Sequence, residues 1–148
     1  MKIFETGELI GKSSRLLTNS LSKNLLLSNT DITPEQWIVL QILSRGPKNQ
    51  KELTNITLKT KATVNSLVSY LLKADLITKT NSIEDNRKII LAISKKGIST
   101  IKQTEINALK SINQATNGFS EKEISELNNY LSRIIENIKT KPLWTESP

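Results

Sequence analysis

The chain has 148 residues, enough for one well-formed core with or without a dimerisation extension, and too few for a second catalytic domain. It contains no Cys and no His, which excludes a disulfide framework, a thiolate metal site, a cysteine nucleophile or redox sensor and the commonest general base, and leaves zinc only an all-oxygen site that it seldom uses. The net charge of +7 is held between Arg45 and Lys96, where eleven Lys or Arg stand against Glu52, Asp75, Glu84 and Asp85, while the segments on either side are each neutral.

A basic centre between balanced ends is the footprint of a surface that meets a polyanion, because cations laid against phosphates release condensed counterions. A solubilising basic surface would carry the same charge without that partner. The start, Met1-Lys2-Ile3-Phe4-Glu5, lacks the apolar stretch of a signal peptide, and the longest purely apolar run, Ile89 to Ile93, is far short of a membrane span. A soluble, cytoplasmic protein with no membrane partner is expected.

Before the first proline, Ile3, Ile10, Leu17 and Leu21, with Leu9, Leu16, Leu25 and Leu26 beside them, recur at helical intervals and predict one long amphipathic helix. Thr33-Pro34-Glu35-Gln36 has the parts of a helix start: a Thr cap, Pro where no amide donor is needed, and Gln at the capping-box position. The second helix is therefore expected from Pro34 to Ser44, stopped by Gly46-Pro47. Asn49-Gln50-Lys51-Glu52 repeats the cap for a short helix carrying Leu53 and Ile56, with Thr57-Leu58-Lys59 as its turn.

From Thr60 to Leu72, Val64, Leu67, Val68 and Leu71 fall at i, i+3, i+4 and i+7, the core stripe of a fourth helix. Its opposite face comprises Ala62, Ser66, Ser69 and Lys73, flanked by Thr63, Asn65 and Tyr70, with no acid among them. Short polar side chains let such a face approach another surface closely, whereas a solvated face is usually rich in Glu and Lys. A weakly polar solvent face is the alternative.

After Ala74-Asp75 the pattern becomes extended. Leu76 to Thr80 and Lys88 to Ile93 read as strands separated by the polar turn Asn81 to Asn86, and a hairpin after three short helices is the order of a winged helix-turn-helix. Ser94 is placed to cap a long helix that begins Lys95-Lys96-Gly97 and carries Ile98, Ile101, Ala108, Ile112 and Ala115; Asn117-Gly118 ends it. Ser120-Glu121-Lys122-Glu123 caps a last helix, on which Ile124, Leu127, Leu131, Ile134 and Ile138 form a seam for packing against other helices. The expected class is mainly α with a small β-hairpin wing: a winged helix-turn-helix domain over residues 31–96, a helical dimerisation region over 1–30 and 97–140, and an irregular tail over 141–148. The apolar stripes on the first, fifth and sixth helices exceed what one small winged domain can cover, so Ile10, Leu17 and the seam of the last helix are the expected dimer contacts.

The run Thr63-Val64-Asn65-Ser66-Leu67-Val68, then Leu72-Lys73-Ala74-Asp75-Leu76-Ile77, then Asp85-Asn86-Arg87, then Leu91-Ala92-Ile93-Ser94-Lys95-Lys96-Gly97 resembles the MarR family of bacterial transcription regulators in order and spacing. The resemblance implies a homodimer that sets two recognition helices in successive major grooves of a pseudopalindromic operator. It implies a wing Arg, here Arg87, in a minor groove, braced by the wing Asp, here Asp85; a narrow minor groove concentrates negative potential and favours a guanidinium.

The DNA-contacting residues expected on these grounds are Lys61, Ala62, Thr63, Asn65, Ser66, Ser69, Arg87 and Lys88. The family usually has Gly where Ala74 or Asp75 stands, and often Arg where Lys79 stands. Without Cys or His, the remaining mode of control is a small organic effector in a crevice between the dimerisation helices and the winged domain, with Trp37, Phe4 and Arg15 as candidate lining residues, or no ligand at all. No cofactor is implied. Scattered carboxylates and the lack of a phosphate-cradling glycine loop argue against an enzyme; the competing reading is a winged-helix module that binds protein partners and not DNA.

Overall fold

The computed structural model describes residues 1–85 and 87–140; Asn86 and the expected tail over 141–148 lie outside the described residues. The elements in order are α1 (Lys2–Leu26), α2 (Pro34–Ser44), α3 (Gln50–Thr57), α4 (Lys61–Lys73), β1 (Ile77–Asn81), β2 (Ile89–Ile93), α5 (Lys95–Ala115) and α6 (Glu121–Thr140). The chain divides into two compact units, Met1–Ile112 and a second that begins at Asn113 and contains α6.

Local chemistry sets most element ends. Thr33 and Asn49 close full capping boxes: the Gln36 amide donates to Thr33 Oγ1 at 3.3 Å and the Glu52 amide to Asn49 Oδ1 at 2.8 Å, while the side chains of Gln36 and Glu52 accept from the cap amides. Each such cap contributes about 1 kcal/mol to its helix. Thr60 Oγ1 caps α4 by accepting from the Thr63 amide at 3.2 Å.

The exit from α4 is a Schellman turn, with the Leu76 amide bonded to Leu71 O at 3.0 Å and the Asp75 amide to Leu72 O at 3.1 Å. Asp75 stands at the left-handed position of that turn, with φ 58. That backbone conformation favours Gly, and Asp, with its short polar side chain, tolerates it better than most residues.

One core lies in the first unit. Val64, Val68 and Leu71 of α4 are buried with Val39, Leu40 and Leu43 of α2, Leu53 of α3, Leu76 and Ile77 at the head of the hairpin, and Leu91 of β2. Fully burying each such side chain contributes roughly 1.5–3 kcal/mol, so the α4 stripe alone fixes which face of that helix turns outward. Leu25, at the end of α1, is buried in the same core.

The two strands pair antiparallel, with Ile77 opposite Ile93 and Asn81 opposite Ile89, and Lys48 adds an isolated bridge to Leu91. The strands begin one residue later than the sequence suggests. The Leu76 amide is spent on the Schellman turn and its carbonyl accepts from the Ser94 amide, so ladder pairing starts at Ile77. Asn81, expected in the turn, belongs to β1.

The hairpin is joined to α5 by a tight seam. Ser94 Oγ accepts from the Gly97 amide at 3.0 Å and donates to Asp75 O at 2.6 Å, and Lys96 Nζ donates to Ala74 O at 2.8 Å. A Cβ at Gly97 would lie 2.2 Å from Leu76 O, so only glycine permits this approach.

Further along α5 the buried face differs from the apolar stripe expected for it. Thr104, Ala108 and Ser111 are buried, whereas Ile98 and Ile112 are exposed. The buried polar groups are satisfied across helices: Trp37 Nε1 donates to Thr104 Oγ1 at 3.0 Å, Asn24 Nδ2 to Ser111 Oγ at 2.7 Å, and Asn107 Nδ2 to Ser28 Oγ at 2.8 Å. Hydrogen bonding removes the cost of burying them; Ile101 packs against this core beside them, while Ile98 and Ile112 stay outside it.

In the second unit, α6 is capped by Ser120 and Glu123: the Ser120 amide donates to Glu123 Oε1 at 3.0 Å, and the Glu123 amide to Ser120 Oγ at 3.1 Å. Hydrogen bonding from Ser120, its backbone amide first and its side chain second, holds the fully exposed Glu123 carboxyl below its ordinary value. Among the described residues no helix is long and apolar enough to cross a membrane.

Candidate nucleic-acid interface

The α4 residues opposite the core stripe all reach solvent: Lys61, Ala62, Thr63, Asn65, Ser66, Ser69, Tyr70 and Lys73 are exposed. No acidic residue occurs on this helix. The turn into it is made by Leu58 at φ 58, whose amide donates to Thr54 O at 3.0 Å and closes α3. Leucine in the left-handed region is strained, and this residue is exposed, so no burial offsets the strain at the helix-turn-helix corner.

The wing is a tight turn on the two-stranded ladder. The Ser82 amide donates to Lys88 O at 2.8 Å, the Lys88 amide to Asp85 O at 2.9 Å, and the Glu84 amide to Ser82 Oγ at 3.3 Å. Asp85 Oδ1 accepts from the backbone amide of Arg87 at 3.0 Å. The bracing expected of Asp85 therefore acts on the main chain: it fixes the Cα from which Arg87 projects, and Arg87 and Lys88 are both exposed. Ile83, wholly exposed in the same turn, was not singled out by the sequence pattern.

Between the helix and the wing lies a groove of about 680 Å³. Asn65 and Ser69 of α4 line it together with four cations, Lys51, Lys79, Arg87 and Lys88. Val68, Leu72, Ile89 and Leu91 supply apolar lining, and no carboxylate is among the lining residues described. The fold thus brings Asn65, Ser69, Arg87 and Lys88 to one concavity. Lys61, Ala62, Thr63 and Ser66 are outside its lining, on the same exposed helix. Lys51, treated as part of a capping motif, and Lys79, treated as a strand position, were not among the expected contacts; the regional charge excess and, for Lys79, a position where the family often has Arg were the signals for them.

The candidate effector-crevice residues are less well gathered. Trp37 is half-buried with its indole N–H engaged by Thr104, while Phe4 and Arg15 are both exposed, three turns apart on α1 and roughly 16 Å along its axis. Among the described residues no group of three or more acidic, Cys or His side chains is placed to hold a metal. Of the expected dimer contacts, Ile10, Leu17, Leu127, Leu131 and Ile138 are exposed in the single chain, and Ile124 and Ile134 are half-buried.

Three short helices, a two-stranded wing and flanking long helices define a winged helix-turn-helix protein. A model of the MarR family matches residues 30–88, the winged segment. Solved structures carry the same fold over most of the chain. AbsC, a MarR family transcriptional regulator from Streptomyces coelicolor, is 19% identical with a TM-score of 0.81, over 91% of this chain and 93% of that one. A cysteine-to-serine variant of MarR from E. coli, complexed with operator DNA, is 18% identical with a TM-score of 0.79, over 90% and 96%. Bordetella bronchiseptica BpsR, whose DNA binding is regulated by 6-hydroxynicotinic acid, is 17% identical with a TM-score of 0.75, over 88% and 98%. No curated protein matches the sequence.

Proposed function

We propose that the chain is a sequence-specific DNA-binding transcriptional regulator, a binding protein rather than an enzyme, acting as a homodimeric repressor on a pseudopalindromic operator. The observation that carries this reading is the acid-free concavity where α4 meets the wing, which gathers Asn65, Ser69, Arg87 and Lys88 on one side of the fold. In the proposed complex α4 enters the major groove. Ala62, Asn65 and Ser66 meet base edges, Lys61, Thr63 and Ser69 meet phosphates, and Arg87 with Lys88 reaches the adjacent minor groove.

Dimerisation through α1, α5 and α6 would cover the exposed apolar residues of those helices and set two wings on one face. Control by a small organic effector is carried over from BpsR and its 6-hydroxynicotinic acid. The competing reading, a winged module for protein partners, has no need of an acid-free cationic groove. Titration onto random-sequence duplex DNA at low and at high salt separates the two. A regulator of this kind binds at low salt and loses affinity steeply as salt rises; a chain that ignores duplex DNA at low salt would leave the interaction module standing.

A further inference from the structure

We infer that Lys51 at the start of α3 and Lys79 of β1 hold the sugar–phosphate strand that passes between the recognition helix and the wing. This rests on the functional reading above. If α4 lies in a major groove and the wing in the neighbouring minor groove, the backbone dividing the two grooves has to run through the concavity between them. That concavity is built for such a strand. Four cations from three elements surround it: Lys51, Lys79, Arg87 and Lys88.

With no carboxylate among the described lining, four like charges around one groove repel each other, and an anion seated there relieves that repulsion. The apolar lining from Val68, Leu72, Ile89 and Leu91 suits the carbon face of a deoxyribose, so the groove matches a sugar–phosphate chain better than a bare inorganic anion. Lys51 and Lys79 are both exposed, so neither is held in the groove by the needs of the core. Their placement assigns two positioning contacts that lie outside both the recognition helix and the wing turn.

The test is the salt dependence of binding to random-sequence duplex DNA, measured for the unmodified protein, Lys51→Gln, Lys79→Gln, Lys79→Arg and the distant control Lys102→Gln, with thermal midpoints alongside. Each phosphate contact contributes about 0.9 to the slope of log affinity against log salt, so each Gln substitution in a dimer lowers the slope by about 1.8. Lys79→Arg and Lys102→Gln keep the unmodified slope, and all midpoints stay together. Unchanged slopes in Lys51→Gln and Lys79→Gln, or an equal loss in Lys102→Gln, overturn the assignment while leaving the functional reading intact. A failure of the unmodified protein to bind in a salt-dependent way overturns the functional reading itself.

Discussion

Arg87 and Asp85 divide their work along the main chain. Asp85 bonds the Arg87 amide at 3.0 Å, so its carboxylate orients the backbone and leaves the guanidinium to reach outward from an exposed turn. In a dimer with two wings, at roughly 1–3 kcal/mol per good contact, Arg87→Ala is expected to cost on the order of 2–6 kcal/mol of operator affinity. Its thermal midpoint should hardly move, since Arg87 is exposed and lies outside the core. Asp85→Ala should show a smaller defect of the same kind; affinity and midpoint measured together on both variants check this, and normal binding by Arg87→Ala would rule the wing out of the interface. Leu58 and Asp75 hold left-handed backbone at the turns that close α3 and α4. Both sit at φ 58, and replacing either with Gly exchanges left-handed strain for a smaller loss of chain entropy. A gain of up to about 1 kcal/mol in chemical denaturation is expected, larger for Leu58→Gly because leucine has no polar group to bond locally.

The helices were legible in the sequence wherever their ends are made by neighbours in the chain. Thr33 with Gln36, Asn49 with Glu52, Ser94 with Gly97 and Ser120 with Glu123 each act over three residues, and all four caps form as the residue types suggest. What was not legible depends on partners far away in sequence. On α5 hydrophobicity marks Ala108 and Ile101, which do meet the core, but not Thr104 and Ser111, which are made acceptable there by Trp37 and Asn24 on other helices. The one-residue shift in β1 is partly of this kind: the Leu76 amide is claimed locally by Leu71, but its carbonyl is claimed by the distant Ser94. Lys51 and Lys79 entered the site only when the fold laid α3 and β1 beside α4 and the wing.

The α6 cap also carries a pH dependence. Glu123 has a lowered pKa in the folded chain, so its contribution is complete above the ordinary glutamate value and disappears as pH falls through the lowered one. Glu123→Gln should remove that acid-side decline in helix content from the region of α6 without changing behaviour near neutrality. Circular dichroism over an acid titration of both proteins measures it, and identical curves would contradict the assignment.

At the scale of the whole molecule, the charge distribution and the apolar distribution point to two different partners. The central segment supplies the full +7, while the exposed large apolar side chains concentrate on α1, α5 and α6. A second copy of the chain is the proposed cover for the second group, and a polyanion for the first. Leu131→Glu combined with Ile134→Glu places two carboxylates on the α6 seam and should yield monomers or unfolded chains by light scattering, against a dimer for the unmodified protein. An unmodified protein that is monomeric at micromolar concentration would contradict the proposed assembly.

The proposed two-fold symmetry and the proposed base reading by α4 are joined in the DNA sequence that such a protein would select. Duplexes recovered by the purified protein from a random-sequence pool should share a pseudopalindrome whose half-sites are centred about one helical turn apart, roughly 10–10.5 base pairs. Asn65→Ala should relax the preference at particular positions within each half-site. Recovery of no common sequence, or of a single unpaired half-site, would contradict a dimeric sequence-reading regulator.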